Sequence, residues 1–83
     1  MPTLTRLDTR GTHVLIECEG RFAVVEERVG KIYGLSRTRR HGYPCTPDGI
    51  ARAIGADWKS EVVATRLFDE VTREAEHLAR HIW

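Results

Sequence analysis

The hydrophobic pattern of this chain changes period once, near residue 46, and that change limits the folds open to it. Before it, apolar residues alternate with polar ones; after it, they recur every three or four positions. From Thr12 to Cys18, Val14, Ile16 and Cys18 share one face of a strand, with His13, Leu15 and Glu17 on the other. From Arg21 to Glu27, Phe22 and Val24 oppose Ala23 and Val25. Glu19-Gly20 and Val29-Gly30 are two-residue turn signals, the second leading into Lys31-Ile32-Tyr33-Gly34-Leu35. Short strands joined by tight turns make an antiparallel meander. Thr3 to Leu7 is expected to add an edge strand, with Asp8 to Gly11 turning into the next.

Residues 36–46, SRTRRHGYPCT, read as a basic loop without apolar periodicity. Thr46 then suits an N-cap, Pro47 the first helical position, Asp48 the first turn and Gly55 a stop. Ile50, Ala51 and Ile54 supply the stripe of this short helix. A second helix, capped by Asp57 or Ser60, has no internal Gly or Pro. Its expected core stripe is Val63, Leu67, Val71, Leu78 and Ile82, flanked by Ala64, Phe68, Ala75 and Ala79. Asp69/Arg73 and Glu76/Arg80 are placed for i,i+4 ion pairs. The expected fold is α+β: an antiparallel three- or four-stranded meander, then a short helix and a long C-terminal amphipathic helix packed on the sheet. One domain spans 1–83, with strands about 3–36, the loop 36–46 and helices about 47–82.

Size sharpens the picture. A domain of 83 residues is about 30 Å across, whereas a helix of about 24 residues measures about 36 Å. The long helix must cross the whole sheet or protrude. The sheet also has two apolar faces, with Leu15, Ala23, Val25, Tyr33 and Leu35 expected opposite Val14, Ile16, Phe22, Val24 and Ile32. One long and one short helix packed together leave a face uncovered, and a second subunit is the simplest cover. The expected interface residues are Leu15, Val25, Tyr33 and Leu35 on the sheet, with Ile82 and Trp83 at the helix end.

Two polar constellations compete for a function. Lys31, Arg37, Arg39, Arg40 and Tyr43 combine guanidinium forks with an aromatic ring, a set suited to phosphate or nucleic acid. Eight basic residues stand against five acidic ones before Thr46, and five against seven from there on, so the basic excess lies around this loop. The formal net charge is only +1, which gives no overall nucleic-acid signature. On the long helix, Glu70, Glu74, His77 and His81 share a flank and present oxygen and nitrogen donors of the kind zinc accepts. The order lacks the Glu that follows the first His in HExxH, so it does not read as a metalloprotease.

Enzyme chemistry has little support. There is no Gly-rich phosphate loop or G-x-S-x-G elbow, and Cys45 near His41 lacks a third orienting group. No cofactor is expected. Cys18 and Cys45 form no metal spacing and read as free thiols in a reducing compartment. No apolar run reaches membrane-span length, and the N-terminus has no signal-peptide core. The expectation is a small non-enzymatic cytoplasmic homodimer binding another macromolecule. The alternatives are a nucleic-acid binder using the basic loop and helix pair, and a metal-binding protein or enzyme using the Glu/His stripe.

TPDGIARAIGADWKSEVVATRLFDEV resembles a helix-turn-helix over about 25 residues, with Ala51 at the close-packing position and Gly55 in the turn. Glu61 stands where that motif has an apolar residue, and Trp58 where it has a small or polar one. GKIYGLS and TPDGIA are also similar to the third strand and T-x-x-x-I-A helix of winged-helix peptide-recognition domains of the PqqD type. In those domains the two elements bracket a leader-peptide groove. Here the arginine loop replaces their intervening helix, and that function is not carried over.

Overall fold

The computed structural model describes residues 3–35 and 41–82, with the backbone alone from 78 on. Five antiparallel strands come first: β1 (Thr5–Arg10), β2 (His13–Cys18), β3 (Arg21–Arg28), β4 (Lys31–Gly34) and β5 (Tyr43–Pro44). Two helices follow, α1 (Pro47–Ile54) and α2 (Glu61–Ile82). Sheet order matches chain order, β1 to β5. The expected α+β meander is present, and β5 adds a two-residue strand within what reads as loop.

The hairpin turns set the register. Glu19-Gly20 and Val29-Gly30 both take positive φ at each central residue (53° and 79°; 52° and 73°), the type I′ pattern. The first turn pairs Cys18 with Arg21, so Val14 faces Val25, Leu15 faces Val24 and Ile16 faces Ala23. The second pairs Arg28 with Lys31 and places Ile32 beside Glu27. Cross-strand partners share a face. One face therefore carries Val14, Ile16, Ala23, Val25 and Ile32, and the other Leu15, Phe22, Val24, Tyr33 and Leu35. This corrects the expected grouping, in which β3 was displaced by one residue relative to β2. A two-residue turn allows only this pairing.

Each face has its own helix. Ile50 and Ile54 of α1 join Val14, Ile16, Ala23, Val25 and Ile32, with Leu4, Ala53 and Trp58 packed around them. Ala64 and Phe68 of α2 join Leu15 and Val24, flanked by Phe22, Leu35, Leu67 and Val71. The two helices lie on opposite sides of the sheet, so they do not form a helix-turn-helix. The chain changes sides at Lys59, which bridges to Phe22 through two backbone hydrogen bonds of 2.9 and 2.7 Å. That bridge occupies the part of the β3 edge that β4, paired with Val25 to Arg28, does not reach. Leu15 and Val25, read as interface residues, are already buried beneath the chain's own helices. The inference from an uncovered sheet face to a second subunit falls with them.

Local signals in α1 act as read. The Thr46 side chain accepts from the Gly49 N–H at 3.1 Å, Pro47 opens the helix, and Gly55 closes it at φ 60°. Ala51, expected in the buried stripe, is exposed, and Ala53 is half-buried instead. Close approach demands glycine at two points. A Cβ on Gly34 would lie 2.5 Å from the Ala53 carbonyl oxygen, and one on Gly49 would drive into the Pro44 carbonyl. On α2, Ser60 accepts from the Val63 N–H at 3.4 Å, and Asp57 does not cap it.

Val29 is a β-branched residue at φ 52° with its side chain fully exposed. The left-handed region costs such a residue about 1–2 kcal/mol, and solvent exposure returns no packing energy. Val29→Asn supplies the residue that type I′ turns favour and is expected to stabilise the fold by about 1 kcal/mol, raising Tm by about 4–8 °C. A thermal melt followed by circular dichroism checks this; an unchanged or lower Tm contradicts the turn assignment.

Candidate functional site

α2 does not lie on the sheet along its expected stripe. Its buried line runs through Ala64 (0% exposed), Phe68 (1%) and Thr72. Val63, first in the expected stripe, is 50% exposed, and Leu67 and Val71 are half-buried. Arg10 fixes the rotation. It reaches from β1 to Asp69 at 2.7 Å, meets Asp8 at 3.3 Å and stacks over the Phe68 ring at 4.8 Å. Asp69 thus pairs with Arg10 and not with Arg73 as expected. The pull toward β1 leaves the Val63–Leu67–Val71 flank on the β4 side, where Leu67 approaches Gly34 of β4. Leu35 and Leu67 line one narrow crevice there, with Tyr33 and Leu35 half-buried on the sheet below.

Past Thr72 the helix runs beside the β1–β2 turn, where Ala75 and Glu76 line an open groove with Arg10, Gly11, Thr12 and His13. The Thr72 hydroxyl is buried and donates to the carbonyls of Phe68 (2.8 Å) and Asp69 (3.1 Å). Arg73, Glu74, Ala75, Glu76 and His77 are all exposed, one after another around the full turn. The molecule measures 44 × 27 × 22 Å, its long dimension well above that of a round domain of this length. Eleven residues separate Ala64 from Ala75, which puts them within about 20° on the helix. One is fully buried and the other exposed. Ile82 ends α2 with its side chain outside the described residues, and Trp83 lies outside them altogether.

A polar cluster that sequence reading missed sits on the α1 side of the sheet. Arg6 of β1 donates to Glu27 of β3 at 2.8 and 3.4 Å. The Cys45 thiol donates to the same carboxylate at 2.7 Å, and Arg6 donates to the Cys45 sulfur at 3.0 Å. Residues separated by 39 positions meet here because β1 and β5 approach β3 from opposite sides; no local spacing announces it. Hydrogen bonds from Arg6 and then from Cys45 hold Glu27 below the usual carboxylate range. The hydrogen bond to the Glu27 carboxylate pushes the Cys45 thiol up, so it is kept protonated. His41 pairs edge-to-face with Tyr43 at 4.9 Å, and the thiol's acceptor is Glu27. The arrangement suppresses thiolate chemistry.

The remaining expected sites divide. Lys31 and Tyr43 come together at the β4–β5 edge, where Lys31 pairs with Pro44 and Ile32 with Tyr43; Arg37, Arg39 and Arg40 lie outside the described residues. Glu70, Glu74 and His77 are exposed on α2, and the His81 side chain lies outside the described set. Among the described residues no three His, Cys, Asp or Glu side chains gather to hold a metal ion. No described helix is long and apolar enough to cross a membrane. Comparison with known proteins finds no matching family model, no similar curated protein and no similar solved structure.

Replacing Glu27 by Gln removes the charge that favours the protonated thiol, so the Cys45 pKa is expected to fall. Iodoacetamide alkylation of Cys45 at pH 8 then speeds up several-fold, since the thiolate is the reacting form. Cys18 is buried and does not contribute in the folded protein. An unchanged or slower rate contradicts the Glu27–Cys45 hydrogen bond.

Proposed function

We propose that this chain is a non-enzymatic interaction module that works as a homodimer, with the uncovered flank and overhang of α2 as its docking element. One observation carries the reading: the Val63 side of α2 is left 50% exposed while Ala64 and Phe68 beside it are fully buried on the sheet. Half-buried Leu67 and Val71 continue this flank along α2, and Leu67 meets half-buried Leu35 beside β4. A two-fold related copy covers the same line on both chains at once. Each apolar side chain moved fully from water contributes about 1.5–3 kcal/mol, so a few half-exposed residues per copy suit an association that tightens with concentration. The dimer in turn engages another macromolecule. A cytoplasmic location is supported by Cys18 and Cys45, both free thiols. The protonated Cys45, hydrogen-bonded to Glu27, supports the non-enzymatic reading.

Sedimentation velocity across a micromolar dilution series tests the dimer. The expected result is a reversible shift from 9.5 kDa to twice that mass. Val63→Glu, at an exposed position, is expected to abolish the shift while leaving Tm of the dilute protein within about 2 °C, as surface substitutions do. A strict monomer at several hundred micromolar overturns the reading.

A further inference from the structure

We infer that the β4–β5 edge binds single-stranded nucleic acid through a platform of Arg28, Lys31 and Tyr33. The inference rests on the interaction-module reading above but not on its dimer. Charge along the chain points to this edge. Residues 28–47 contain Arg28, Lys31, Arg37, Arg39 and Arg40 and no acidic residue. All twelve acidic residues lie elsewhere, so a formal net charge of +1 conceals a strongly basic stretch.

The described part of this stretch forms one surface. Arg28 pairs with Lys31 across the Val29-Gly30 turn and Glu26 with Tyr33, so all four side chains share the α2 face of the sheet. Arg28 and Lys31 are exposed there and Tyr33 is half-buried. The Arg28 guanidinium stacks over the Tyr33 ring at 4.9 Å and meets Glu26 through Nε at 3.4 Å. Its Nη groups and the Lys31 ammonium have no ion-pair partner among the described residues. Gly42, just before β5, keeps the surface flat. A Cβ there would lie 3.0 Å from the Lys31 Cδ and 3.2 Å from the Tyr33 ring. On the α1 side of the same edge, exposed His41 packs edge-to-face on half-buried Tyr43.

A guanidinium held flat on an aromatic ring, with a free ammonium beside it, grips phosphate oxygens. The rings and the guanidinium plane offer stacking surfaces to unpaired bases. An acidic peptide satisfies the cations but leaves the rings unused. A duplex backbone meets repulsion from α2, which carries five acidic residues against three basic. The partner that fits is a short single strand, with phosphates on Arg28 and Lys31 and bases on the rings.

Fluorescence anisotropy of the full chain tests this with labelled oligothymidylate and oligouridylate of about 12 nucleotides. The expected result is saturable binding, the tighter of the two naming DNA or RNA. Two phosphate contacts weaken it about sevenfold between about 50 and 200 mM salt. Arg28→Gln and Lys31→Gln each lower the log–log salt slope by about 0.7. Tyr33→Leu weakens binding at least about fivefold with an unchanged circular dichroism spectrum. Arg66→Gln, on exposed α2 surface, leaves affinity and slope unchanged. No anisotropy change at several hundred micromolar protein overturns the site, and so does an equal loss from Arg66→Gln and Lys31→Gln. Displacement of the oligonucleotide by polyglutamate at equal charge overturns it in favour of an acidic peptide. Binding by a chain that sediments as a monomer upholds this site and overturns the dimer; a dimer that does not bind does the reverse.

Discussion

A sheet with two apolar faces cannot remain folded with either face in water, and the rest of this structure follows from how a short chain covers both. Placing both helices together, as a helix-turn-helix does, would bury one face and strand the other. The chain instead puts α1 on Val14, Ile16, Ala23, Val25 and Ile32, and α2 on Leu15 and Val24. The change of side happens at Lys59, where the linker joins the free edge of β3 by two backbone hydrogen bonds. A connection crossing a sheet edge would otherwise leave β3 amide and carbonyl groups without partners. The crossing thus satisfies the edge and positions both helices.

Coverage on the α2 side is incomplete in a directed way. Arg10 draws α2 toward β1 through Asp69 and Phe68. As an exposed ion pair it contributes little stability, but together with the ring contact it sets where the helix sits. The cost falls on the opposite flank, where Val63, Leu67 and Val71 are left partly in water. Beyond Thr72 the helix meets, among the described residues, only the β1–β2 turn, through an open groove at Ala75 and Glu76. A helix of 22 residues is about 33 Å long, more than a five-stranded sheet of short strands can support. The candidate interface is therefore a by-product of helix length and helix rotation, both traceable to named residues.

Much of the fold was legible because it depends on local signals. The two type I′ turns, the Thr46 cap with Pro47, and the Gly55 stop each act within a few residues, and each sits where the sequence places it. Face assignment within a strand was equally readable from alternation. What could not be read depends on contacts between distant residues. The rotation of α2 turns on Arg10 meeting Asp69 across 59 positions, so the expected Val63-centred stripe is offset by one residue toward Ala64 and Phe68. The Arg6–Glu27–Cys45 cluster joins β1, β3 and the residue that follows β5, with no motif between them. The split of the helices onto opposite faces rests on a single bridge at Lys59, and a six-residue connection between helices gives no sign of it. The paired turns did contain the sheet register: Cys18 against Arg21 fixes every later pair by counting.

The opposite-face arrangement is the claim on which the register, the candidate interface and the exclusion of a helix-turn-helix all depend. Methyl-to-ring nuclear Overhauser effects measure it directly. The account predicts contacts from the Phe68 ring to Leu15 and Val24, contacts from Ile50 and Ile54 to Val25 and Ile32, and none between Ile54 and Phe68. Strong contacts from Ile50 or Ile54 to Ala64 and Phe68 would place the helices side by side and contradict it.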